Sequence, residues 1–190
     1  MSIKLALFRV TLVMTATMLW ACDGSVRREG PPAAQLQIVR ADAERNRLWV
    51  LEPEAVTLYD YTNARRLRRI VLPELILVGA SERVCPPDIA VDAGGTVFIS
   101  SNAVPVLWRI DPVRFEVTRT ELALDAETDK DVGFTGLSFA ADGVLLAAGS
   151  TFGSLWRIDL RQARASKVVS YPSASVACTP AALLHAAGKP

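Results

Sequence analysis

Leu107-Trp108-Arg109-Ile110-Asp111 recurs residue for residue at Leu155-Trp156-Arg157-Ile158-Asp159. Around both copies the chain carries the same larger pattern. Asp42, Asp92 and Asp142 are evenly spaced, in the contexts RADAERNRLWV, AVDAGGTVFIS and FAADGVLLAAG. In each context two apolar segments flank a turn. Asp-Gly or Asp-Ala-Gly-Gly between runs rich in Val, Ile and Phe is a hairpin signal, because Gly reaches the positive φ that tight turns demand. A third apolar segment then ends in an acid at Asp60, Asp111 and Asp159. A fourth follows a polar turn, at Arg69 to Leu72, Val117 to Leu122 and Lys167 to Ser170.

Four short strands repeating about every 50 residues mark the blades of a β-propeller. The fold class is therefore all-β: a partial propeller of three four-stranded antiparallel blades at 36–84, 85–131 and 132–177. LWRID is the third strand of a blade. Period-two alternation sends its Trp and Ile to one face and its Leu and Arg to the other, so the repeated Trp packs between neighbouring blades. Cys178 to Gly188, CTPAALLHAAG, aligns without gaps on Cys85 to Gly95, CPPDIAVDAGG. Residues 178–190 thus read as the start of a fourth blade or as a tail.

Closed propellers have about four to eight blades, so three would leave apolar faces open at both ends. Either the chain is a piece of a longer propeller, or two copies form a homodimer that completes one ring. The first is expected, because a hairpin abandoned at its turn leaves strand edges unpaired.

The N-terminus differs from the rest. Lys4 and Arg9 accompany the apolar run Leu5 to Leu19, which is too short and broken to span a bilayer and reads as a targeting segment, residues 1–21. It ends in Leu19-Trp20-Ala21-Cys22, which resembles the lipobox of bacterial lipoproteins. That resemblance implies cleavage before Cys22, lipid on its thiol and anchoring to a membrane. Asp23 is similar to the signal that keeps such proteins on the periplasmic side of the inner membrane. Residues 22–35, containing GSVRREGPPAA, read as the anchored cysteine and a flexible tether.

Composition excludes some functions. The chain is 51% hydrophobic and 22% charged, with formal charge +1. Taking Lys4 and Arg9 from the 21 basic residues leaves 19 against 20 acidic ones. No basic cluster interleaved with aromatics is present, so no nucleic-acid partner is expected. Arg65, Arg66, Arg68 and Arg69 read as a solvated turn and edge strand.

The units around PPDIAVDAGGTVFISSNAVPVLWRIDP resemble the repeats of the NHL, YVTN and gluconolactonase-like propellers. Such propellers serve as enzymes, scaffolds and binding platforms alike. Pro87-Asp88 is similar to a segment of the gluconolactonase-like hydrolases whose Asp binds a divalent metal such as calcium. By that resemblance Asp88, with Asn102 as a second ligand, belongs to a truncated metal-dependent hydrolase. The residues themselves favour a turn-capping role for Asp88, and two oxygens fall short of the six or more that a hard cation takes.

No catalytic residue and no cofactor are expected. The sole histidine, His185, stands where the earlier repeat has Asp92 and reads as a turn residue. Walker, GxGxxG, CxxC and HExxH patterns are missing. Cys85 and Cys178 start the inner strands of different blades, which predicts free thiols within one chain and a bridge only between chains. The function expected is an exported, lipid-anchored module that binds a protein or small-molecule ligand.

Overall fold

The order in which strands pair follows from the hairpin signals. In the computed structural model, residues 38–78, 85–125, 133–149, 153–170 and 178 are described. Blade 1 comprises β1 (Ile38–Asp42), β2 (Arg47–Leu51), β3 (Ala55–Asp60) and β4 (Arg66–Val71). Blade 2 comprises β5 (Ile89–Val91), β6 (Val97–Ser100), β7 (Val106–Ile110) and β8 (Val117–Glu121). A two-residue strand, β9 (Ala123–Leu124), precedes blade 3: β10 (Phe134–Phe139), β11 (Leu145–Gly149), β12 (Ser154–Asp159) and β13 (Arg164–Ser170). Within each blade the strands run antiparallel in chain order, and β9 adds itself in parallel to the outer edge of β13. Among the described residues the chain forms three blades of a partial β-propeller. The expected leader, tether and Cys22 lie outside the described residues, as do His185 and the expected fourth-blade strand beyond Cys178.

Alternation along LWRID organises the core. Trp108 and Ile110 are fully buried against Trp49, Leu51, Val56 and Leu58 of blade 1. Leu107, on the opposite face of the same strand, packs with Phe134, Leu145 and Trp156 of blade 3. Trp156 in turn faces blade 2. Both LWRID indoles find an acceptor: Trp108 Nε1 donates to the Pro73 carbonyl at 2.8 Å and Trp156 Nε1 to Ser154 Oγ at 2.8 Å. The tryptophans are inter-blade packing residues, as their face predicts.

The final Asp of the motif has a different task. Asp111 Oδ1 accepts from the backbone N–H of Val113 (2.9 Å) and Arg114 (2.7 Å). Asp159 Oδ1 does the same for Arg161 and Gln162, and Asp60 Oδ1 for Thr62 and Asn63. Four residues after each Asp the chain enters the left-handed region, at Ala64 (φ 55°), Phe115 (φ 59°) and Ala163 (φ 50°). The motif thus ends each third strand in one and the same turn, and the carboxylate accepts from two turn N–H groups that no strand partner reaches.

One sequence expectation is corrected. Cys85 and Cys178 form a disulfide, with Cα atoms 5.4 Å apart across a separation of 93 residues. Repeat alignment located each cysteine within its own unit and took the chain after blade 3 to continue outward. Instead Cys178, which lies outside any strand, returns to the start of blade 2, so the bridge encloses blades 2 and 3. The basic run behaves as expected: Arg66, Arg68 and Arg69 lie exposed on the edge strand β4.

Three outcomes follow. Replacing Cys85 and Cys178 together by Ser lowers unfolding stability by about 4 kcal/mol, read by urea denaturation, since the closed loop approaches a hundred residues. Ala64→Gly and Ala163→Gly each raise stability by roughly 0.5 kcal/mol, the relief of left-handed strain outweighing the entropy that Gly adds to the unfolded chain. Hydrogen bonds from the Arg114 and Val113 N–H groups hold the Asp111 carboxyl below its ordinary 3.8, and the Lys167 N–H does the same for Asp125 beside β13. A depressed folded pKa stabilises above the unfolded value and is lost as pH falls through the folded one. Stability contributed by these hydrogen bonds is accordingly complete above about pH 5 and declines below 3.8, a slope that Asp111→Asn and Asp125→Asn reduce in thermal melts.

Candidate functional site

Asp88, on the segment that opens β5, sits where three blades meet. β5 lies beside β1 on one side and β10 on the other. From blade 1, the Arg40 guanidinium donates to both Asp88 oxygens, at 2.8 and 3.0 Å, and through Nε to the Ile89 carbonyl at 2.7 Å. From blade 3, the Leu137 N–H donates to Oδ2 at 2.9 Å, at the point where the β10 register slips past Gly136. The Ile89 N–H caps Oδ1 at 2.8 Å. The Asp88 backbone is tied as well, its N–H donating to Ser100 Oγ and its carbonyl accepting from the Ser100 N–H.

Asn102 lies after β6, in the loop leading to β7. Its Oδ1 accepts from the Val78 N–H at 2.9 Å, and its amide donates to the carbonyls of Val78 (2.8 Å) and Cys85 (3.0 Å). Next to it, Ser101 Oγ donates to the Ile76 carbonyl. The Ser101 carbonyl accepts from the Phe134 N–H of blade 3 at 2.7 Å. Gly133 makes that contact feasible, since a Cβ there would strike the backbone of Asn102 and Ala103. The loop therefore fastens the link between blades 1 and 2 on one side and the start of blade 3 on the other.

These bonds decide how a divalent metal would fare. A carboxylate offers about four lone-pair positions, and Asp88 accepts four hydrogen bonds from three nitrogens, two of the bonds from Arg40 Nη2. Asn102 Oδ1 faces the Val78 N–H. Among the described residues no group of three or more His, Cys, Asp or Glu side chains converges as metal ligands would. Asp88 and Asn102 as arranged do not fit a hard cation, which would have to displace a guanidinium and two backbone N–H groups.

A groove of about 550 Å³ opens elsewhere, between blades 2 and 3. Phe98, Leu107, Leu122 and Leu160 provide its apolar lining, and Arg109, Thr120 and Arg161 stand among its polar residues. The hairpin acid Asp92 stands at this groove too, but its Oδ1 accepts from the Thr96 N–H at 2.8 Å. Arg40 and Arg161 belong to no motif. The only signal was positional: Arg109 is the polar residue at a blade-facing position of LWRID.

Known structures agree on the architecture. Selenomethionine-substituted virginiamycin B lyase from Staphylococcus aureus superposes with a TM-score of 0.50 at 12% sequence identity, over 73% of this chain and 41% of that one. A streptogramin B lyase structure gives 0.50 and 12%, over 75% and 41%. The chain thus spans about two fifths of the length of these neighbours, which at such identity establish the β-propeller fold alone. No protein-family model matches the sequence. No curated protein matches it either.

Asp88→Asn is expected to lower stability by about 2–3 kcal/mol, because an amide replaces one acceptor oxygen by a donor facing other donors. Arg40→Met, whose side chain is 43% exposed, costs only about 1 kcal/mol. Urea denaturation of both variants and the double mutant measures the coupling.

Proposed function

We propose that the chain is an exported, lipid-anchored propeller segment that acts as a binding or interaction module on the periplasmic side of the inner membrane, its partner a protein or a small molecule. Export and anchoring rest on the leader and on the resemblance of Leu19-Trp20-Ala21-Cys22 to a lipobox. The observation that carries the choice of binding over hydrolysis is the state of Asp88. In the gluconolactonase-like alternative this carboxylate would hold a divalent metal, whereas here its oxygens join Arg40, Ile89 and Leu137. Side chains committed to holding blades together leave the surfaces between and at the ends of the blades to do the work. The fold neighbours are lyases by name; a likeness of fold over part of their length assigns no activity to this chain.

Calcium provides the test. Titration of the chain with Ca²⁺ is expected to leave its melting temperature unchanged, and Asp88→Asn to lower that temperature equally with and without the ion. A calcium-dependent rise that Asp88→Asn abolishes would restore the hydrolase. Anchoring is read separately: Cys22→Ala moves the protein from the detergent phase to the aqueous phase in a phase-partition assay, because the acyl chains are lost.

A further inference from the structure

The two interfaces between blades are built from equivalent strands, so they can be compared position by position. In blade 1, Trp49 pairs with Leu58 and Val56 with Ile70. In blade 2, Phe98 pairs with Arg109 and Leu107 with Thr120. Trp49, Leu58 and Ile70, which face blade 2, therefore correspond to Phe98, Arg109 and Thr120, which face blade 3. The opposing turn repeats as well: four residues beyond Asp111 it presents Phe115 to the first interface, and four beyond Asp159 it presents Ala163 to the second.

Each exchange opens the second interface or makes it polar. Between blades 1 and 2, Trp49, Leu58 and Ile70 are buried and Phe115 packs on them, 6.4 Å from Trp49 ring to ring. Between blades 2 and 3 a smaller ring stands for the indole, a threonine for the isoleucine and an alanine for the phenylalanine, and the leucine is replaced by an exposed arginine. The groove of about 550 Å³ occupies this region, within the size range of small-molecule sites.

Its charge narrows the ligand. Among the described residues neither Arg109 nor Arg161 makes a salt bridge, although Asp111 feels the charge of Arg109. Among the lining side chains two guanidiniums face the single carboxylate of Asp92, a net positive charge that matches a monoanion. Guanidinium forks pair with carboxylates through two parallel hydrogen bonds.

We propose that the groove binds a small amphipathic carboxylate, its apolar part against Phe98, Leu107 and Leu122 and its charge taken by Arg109 and Arg161. The inference deepens the binding reading above and specifies the ligand class. It does not depend on lipid attachment.

The test uses the full chain with 3-phenylpropionate as probe and 3-phenylpropanol as its uncharged counterpart, by isothermal titration calorimetry. Saturable binding of the acid is expected, weaker by about tenfold in Arg109→Gln and in Arg161→Gln, with the alcohol binding more weakly than the acid. Thr120→Ile with Ala163→Phe restores two of the four first-interface residues in the second. That double variant is expected to lose probe binding while melting no lower than the parent. No saturable binding of the acid, equal binding of acid and alcohol, or unchanged affinity in both arginine variants would overturn the proposal. The arginine variants, altered at exposed side chains, keep the test decisive should the filled variant fail to fold. Calcium titration reads the binding-versus-hydrolase question by itself, so either result can fail without the other.

Discussion

A single carboxylate holds the inner strands of three blades in register. Asp88 accepts a guanidinium from blade 1 and a backbone N–H from blade 3 while its own segment starts blade 2. Propeller blades touch mainly through apolar faces, and dispersion and hydrophobic contact are non-directional, so they allow neighbouring sheets to slide. A partly buried, charge-assisted junction supplies the direction that packing lacks. The β10 bulge at Gly136 then makes sense as local geometry: the register slip coincides with the Leu137 N–H that reaches Asp88 Oδ2.

Repetition supplies the rest of the frame, and departures from repetition supply its variety. All three third strands end in an Asp-capped turn with a left-handed residue four places on, yet that residue is alanine, phenylalanine and alanine. Where it is Phe115, the ring closes the first interface and carries the Arg47 and Arg68 guanidiniums on its face, at 5.4 and 4.9 Å from the centroid. Where it is Ala163, the space stays open. The first interface is packed where these four positions fall, whereas the second, packed around Phe134 and Trp156, keeps a groove there.

The disulfide and the Asn102 loop act on the connections between blades. Cys178 clasps the chain after blade 3 to the entrance of blade 2, and the Cys85 carbonyl accepts from the Asn102 amide. The bridge constrains the unfolded chain across two whole blades, and the amide and Ser101 fasten the long link between blades 1 and 2. Polar residues that would attract a functional reading in sequence thus do structural work at the junctions.

The sequence by itself determined the blades. Hairpin turns, period-two alternation and the recurring LWRID are local statements, and local sterics and burial make them binding, so strand order, the facing of Trp108 and Trp156 and the turn at Asp111 could all be read directly. Asp88 could be read as a capping acid, since the Ile89 N–H is its neighbour in the chain. What the tertiary structure alone decided are the encounters between units. Arg40 meets Asp88 across 48 residues, Leu137 meets it across 49, and Cys85 meets Cys178 across 93. Such pairs leave no periodic trace, because each is a single contact set by how whole blades stack and where the chain travels after them. Repeat alignment, which treats every unit as the same, is blind to the bond that closes two of them and to the groove that opens where they differ.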